Sequence, residues 1–213
     1  MSEIRIDALL PSEMATRAEY VGVRKAETPA WTMFTLAVLA GAFIALGAVF
    51  ATNTAAGTGT LPFGVSKLLS GLVFCLGLIL VVVGGAELFT GNNLIVMAWA
   101  SGKVTGRALL RNWVIVYLGN FVGSFGTAVL VFLSRQYTFG GGQVGEAALR
   151  IAVGKSSLEF FQAMVLGVLC NALVCLAVWL TFSARSTIDK IAAIIFPITA
   201  FVAAGFEHSI ANM

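Results

Sequence analysis

Three ionisable side chains stand where a long apolar chain should hold none: Glu87, Glu207 and His208. His208 is the single histidine of the sequence, in the closing stretch "GFEHSIANM". An imidazole changes charge near neutral pH, so it can donate a hydrogen bond or a proton to a small acid. In a soluble core such a histidine is usually structural, bonded to a neighbour such as Glu207 or to backbone. Within a membrane an ionisable side chain is costly and functional by default. The reading therefore turns on the solvent around these residues.

That solvent is lipid. The chain has 213 residues, 59% hydrophobic and 11% charged, with a mean hydropathy of +0.95. Soluble domains carry about 25% charged residues. The net charge of +3 comes without a basic cluster, so no nucleic-acid partner is expected. Cys75, Cys170 and Cys175 lie in apolar runs and read as buried thiols. One histidine and two acids inside the spans provide no metal cluster and no nucleophile–base–orienter set. Neither catalysis nor a cofactor or metal is expected. Residues 1–27 are polar and mixed in charge, so the first apolar segment must serve as its own insertion signal.

A spanning helix needs about 20 apolar residues. Uncharged stretches mark five candidates: 28–66, with its helical part at 31–52, then 68–86, 112–134, 160–184 and 191–206. The stretches 52–64 and 139–145 read as loops from their Gly and Pro. Residues 12–25 read as a helix, with Met14, Ala18 and Val21 on one face and Glu13, Arg17 and Arg24 off it. The expected organisation is a cytoplasmic N-terminal segment at 1–30 carrying this interfacial helix, then a transmembrane domain at 31–213. With the N-terminus inside, the inner side holds Arg5, Arg17, Arg24, Lys25, Lys103, Arg107, Arg111, Arg185 and Lys190. The outer side holds Lys67, Arg135, Arg150 and Lys155, and that imbalance favours a cytoplasmic N-terminus. Gly119 and Gly123 form a small-xxx-small pair suited to close helix packing.

The second and fifth segments are of one kind. "GAELFTGNN" (85–93) aligns with "GFEHSIANM" (205–213): Gly85 on Gly205, Glu87 on Glu207, Asn92 on Asn212. The copies stand three places apart in the order of spans, so they cross in opposite senses, as in an inverted-repeat transporter with paired interrupted helices. A break inside a membrane exposes backbone groups that must be buried in protein or line a cavity. Glu87 and Glu207 are expected to brace the breaks by accepting from freed N–H groups, since a carboxylate on the path repels an anion. Position 88 is Leu, so the break does not require a histidine. The first copy ends near residue 134. The second should then end roughly 120 residues later, with a further half-helix and a sixth span expected beyond Met213.

The motifs "LLPSEM" (9–14), "GTGTLPFG" (57–64), "FCLGLILVVVGGAELFT" (74–90), "NWVIVYLGN" (112–120), "NALVCLAVW" (171–179) and "GFEHSIANM" resemble the formate/nitrite transporter family, most closely its formate branch. The resemblance implies an all-α membrane protein, an aquaporin-like inverted repeat of three-helix units with broken second and fifth helices. It implies homopentamers in the bacterial inner membrane with one pore per protomer, passing formate and similar small anions passively. Nitrite and hydrosulfide branches share the fold. The resemblance also maps constrictions onto Phe74, Leu78, Phe89, Val174 and Phe201. It places His208 at the centre, with Thr90 facing it from a loop. Asn171 and Lys155 become polar positions near the path, and Lys25 the end of a mobile N-terminal segment. Read without it, the five constriction residues are ordinary core or lipid-facing side chains. Likewise Thr90 and Asn171 are interhelical hydrogen-bond formers, and the two lysines are interfacial cations. A membrane enzyme using His208 and Glu207, or a plain scaffold, are the competing classes. A scaffold gains nothing from two interrupted helices.

Overall fold

The computed structural model describes residues 9–213; residues 1–8, the start of the expected N-terminal segment and the site of Arg5, lie outside it. Among the described residues every regular element is helical. Helix α1 spans Pro11–Glu27, α2 Ala30–Ala55, α3 Phe63–Gly84, α4 Phe89–Asn92, α5 Ile95–Ala100 and α6 Gly106–Leu133. Then follow α7 at Gln143–Ser156, α8 at Phe160–Thr181 and α9 at Thr187–Ala203. Helices α2, α3, α6 and α8 are long and apolar enough to cross a membrane. The fifth apolar segment is the shorter α9, of 17 residues.

Helix ends follow local chemistry. Pro11 at the first position of α1 gives up no needed donor, and Glu13 accepts from the Leu10 N–H at 2.7 Å. Thr105 caps α6 by accepting from the Ala108 N–H, and Ser186 caps α9 in exchange with Asp189. The gaps between charges proved poorer guides to these ends. Helix α2 runs to Ala55, inside the expected 52–64 loop, and α3 begins at Phe63, so Lys67 rides in its first turns. Only Gly140, Gly141 and Gly142, all at positive φ, form the glycine loop before α7 starts at Gln143. Helix α7 thus starts inside the expected 139–145 loop. Charge gaps report apolar surface, and a helix end at a polar mouth needs none.

Small residues let the helices touch. A Cβ on Gly123 would lie 1.9 Å from the Val38 carbonyl oxygen, and one on Gly119 2.5 Å from the Ala37 Cβ, so α2 and α6 meet backbone to backbone. A Cβ on Gly71 would lie 2.8 Å from the Thr199 carbonyl oxygen, so α3 and α9 also meet closely. The buried core is built from α2, α3, α8 and α9, with Ile44, Phe74, Leu78, Val174, Ile194, Ile198 and Phe201 at its heart. Large apolar side chains such as Phe160 and Phe196 point outward, as a lipid solvent permits. The apolar face of α1 packs on protein: Gly22 abuts Ala98 of α5, and Ala26 joins Ile95, Ala98, Val104 and Leu109.

Candidate functional site: two broken helices and their mouths

Helices α3 and α9 stop alike. Gly85 and Gly205 take left-handed φ of 77° and 72°, a conformation glycine adopts without strain. Five residues before each following N–H, a helical carbonyl accepts it: Ala86 N–H bonds Val81 O, and Phe206 N–H bonds Phe201 O. The glutamate N–H groups then reach sideways, Glu87 to Leu36 O on α2 and Glu207 to Leu166 O on α8. Each break closes with a turn, Asn92 N–H to Leu88 O and Asn212 N–H to His208 O.

The carboxylates do not brace the breaks in the way the sequence suggested. Among the described residues neither accepts from a backbone N–H. Each instead binds a lysine and an asparagine. Lys25 donates to Glu87 at 2.8 Å and to Asn92 Oδ1 at 2.9 Å, while Asn92 Nδ2 donates to Glu87 at 2.7 Å. In the second copy Lys155 donates to Glu207, and Asn212 Nδ2 donates to Glu207 at 2.7 Å. A charged donor outcompetes a backbone amide for a carboxylate. Lys25 stands five residues before Ala30 of α2, and Lys155 five before Phe160 of α8. The repeat thus includes α1 and α7, which carry the lysines, and not only the broken spans.

Two polar residues that the sequence reading passed over complete the first break. Asn120 of α6 accepts from the Phe89 N–H at 2.9 Å and donates to Ala37 O and Glu87 O. Asn112, two helical turns away, takes a bond from Asn92 and donates to Lys25 O. Both asparagines stand eight apart in an uncharged span, on one face; that spacing was the available signal. At the second break Ser209 donates to Asn171 Oδ1 at 3.1 Å.

His208 is buried. Its Nδ1 accepts from the Ile210 and Ala211 N–H groups at 3.0 and 3.1 Å, and its ring lies 5.5 Å from that of Phe201. A neutral imidazole held so carries its proton on Nε2. Thr90 falls in the single turn α4 rather than in a loop, fully buried, and its hydroxyl has no hydrogen-bond partner. Phe74 and Phe201 meet edge to face at 5.5 Å. Phe89 packs against Trp113 and Tyr117 of α6, with Leu78 and Val174 in the main core.

Two cavities approach this core. One, of about 350 Å³, opens beside α1 and is lined by Lys25, Glu87, Asn92, Leu78 and Leu88. The other, of about 530 Å³, opens beside α7 and is lined by Lys155, Glu207, Asn212, Phe74, Phe201 and His208. They share no lining residue; Phe74 and Phe201 of the apolar core line one and Leu78 of that core the other. Outside the spans, Glu19 of α1 accepts from Lys103 and Ser101 after α5. Those bonds, that of Lys103 foremost, hold its carboxyl below the usual range.

The family profile described as formate/nitrite transporter matches residues 12–213. The formate channel FocA of Escherichia coli (strain K12) is 49% identical over 207 residues, covering 97% of this chain and 73% of that protein. The formate channel FocA of Haemophilus influenzae is 43% identical over 206 residues, covering 97% and 72%. A solved pentameric formate channel with formate bound superposes at a TM-score of 0.82 with 49% identity, over 85% of this chain and 71% of that one. A solved FNT family ion channel gives 0.82 at 28% identity, over 94% and 80%.

Proposed function

Because the chain belongs to the formate/nitrite transporter family, we propose that it carries formate and related small monovalent anions passively across the bacterial inner membrane, through one pore per protomer of a homopentamer. The names of its relatives support the substrate and the assembly. The α1 mouth faces the cytoplasm in this reading, in keeping with the lysine and arginine imbalance, and residues 31–213 form the channel domain.

The observation that carries the mechanism is the pair of backbone N–H bonds to His208 Nδ1. They turn Nε2–H into the donor of the buried ring. An anion drawn to a mouth by Lys25 or Lys155 must shed water at the apolar core formed by Phe74, Leu78, Val174 and Phe201, with Phe89 at its edge. A hydrophobic ring opposes that step. Nε2–H of His208, the open hydroxyl of Thr90 and the amide of Asn171 replace part of the lost hydration. Acid adds a second N–H to the ring, and Nδ1 must then release both backbone bonds. Protonation therefore disturbs the break along with the ring, which makes the flux pH-dependent. Lys25 ties the end of α1 to the first break, so movement of α1 acts on the inner mouth.

Stopped-flow flux in proteoliposomes tests this. Formate is expected to pass, and His208→Asn to alter the pH profile. A pH profile identical to that of the parent protein would sink the role of the histidine. Flux of nitrite or hydrosulfide without formate would assign the chain to a sister branch of the family.

A further inference from the structure

The cavity beside α1 holds more positive charge than its lysine–glutamate–asparagine set uses. Arg17 of α1 and Lys190 of the first turn of α9 line it together with Lys25 and Glu87. Glu87 is committed to Lys25 and Asn92. Among the described residues neither the Arg17 nor the Lys190 side chain makes a hydrogen bond or an ion pair. The rest of the wall is small or apolar, including Val21, Val178 and Phe182. Two uncompensated cations thus face one space from two different helices. At about 350 Å³ that space falls in the range of small-molecule pockets and is oversized for a one-carbon anion.

The opposite mouth is built differently. Of its three cations, Lys155 is bonded to Glu207 and Arg150 to Glu146, while Lys67 lies over the Phe63 ring at 5.7 Å. It offers no comparable uncommitted pair. The repeat does not supply the difference, because Arg17 and Lys190 have no cationic counterparts in the other copy: the corresponding positions are Ala147 and Ser70.

We infer that the α1 mouth is an anion-binding site in its own right, which holds a small dianion between Arg17 and Lys190 and so plugs the path from that side. The guanidinium fork takes one oxyanion group bidentately and the ammonium takes the other as a point charge. A dianion bound there goes no further. The cost of desolvating an ion rises with the square of its charge, so the apolar core opposes it about four times as strongly as a monoanion. Binding needs only the geometry of the mouth; the plugging rests on the proposed channel function.

Malonate and inorganic phosphate serve as probes on the purified full chain in lipid nanodiscs, read by thermal unfolding. Millimolar malonate is expected to raise the midpoint, and Arg17→Gln with Lys190→Gln to weaken its apparent affinity tenfold or more. Arg17→Lys with Lys190→Arg should retain most of it, and Lys67→Gln all of it. Undiminished stabilisation in the double Gln variant, or none by either probe in the parent, overturns the site. In oriented proteoliposomes malonate is expected to slow formate flux from the α1 side alone, and equal inhibition from both sides overturns the plug. If formate flux is absent while malonate binding still depends on the two cations, the channel reading falls and the site stands.

Discussion

The two breaks share a backbone and differ in what holds them. At both, a left-handed glycine ends the helix, a glutamate N–H reaches a neighbouring span, and a lysine and an asparagine converge on the carboxylate. The first is clamped further by two buried asparagines of α6 and has Leu88 at its turn. The second has His208 at the equivalent place, with Ser209 linked to Asn171. Duplicated chemistry therefore makes the break, and the histidine in place of Leu88 is what differs at its turn.

The comparison breaks most severely at Asn120. Its replacement by Leu leaves the Phe89 N–H and the Glu87 and Ala37 carbonyls without that partner. At about 1–3 kcal/mol for each buried unsatisfied group, the loss amounts to several kcal/mol. Thermal unfolding should show collapse of the folded protein, and a variant as stable as the parent would mean that the first break holds itself. Next in size is His208→Leu, which gives the second break the residue of the first. We expect roughly a hundredfold fall in formate flux, about 2.7 kcal/mol in barrier, with the fold retained. Flux within a factor of two would make the two copies functionally alike.

Glu87→Gln and Glu207→Gln sharpen the comparison on a smaller scale. Each leaves a lysine facing a neutral amide. Lys25 is the less exposed of the two, 26% against 36%, so about 2 kcal/mol is expected at the first break and about 1 at the second after allowance for screening. Equal or reversed losses would show that burial does not rank them. The smallest effect concerns α1, whose Glu19 is clamped to Lys103, whereas among the described residues Glu146 of α7 pairs with Arg150 of its own helix. The Glu19 carboxyl is held below its unfolded value. Its contribution is therefore complete above that unfolded value and fades as pH falls through the folded one. Hydrogen-exchange protection in α1 should fall in acid more than in α7, and Glu19→Gln should remove the difference. A parallel loss of protection in both helices would dismiss the clamp.

Much of this organisation was legible in the chain. The Gly–Glu–Asn echo located both breaks, and the asymmetry of Leu88 against His208 singled out the histidine. The lysines escaped that comparison because they lie 130 residues apart while the glutamates lie 120 apart. A linear alignment cannot hold two offsets, although the folded chain brings both sets together. Asn112 and Asn120 were visible as polar residues in an apolar span, yet nothing in their neighbours names the backbone they bind.

The sequence by itself determined that the chain lives in lipid, that it is helical, and that two of its helices are interrupted by the same residues. Composition, charge gaps and a short repeat suffice for these, because each is a property of local chain chemistry. Only the tertiary structure decided the partners of Glu87 and Glu207, which nitrogen of His208 is occupied, and which cations at the mouths remain uncommitted. The lysine contacts join helices distant in sequence, the His208 bonds form only in the turn that follows the break, and hydrogen-bond donors compete for an acceptor by position in space.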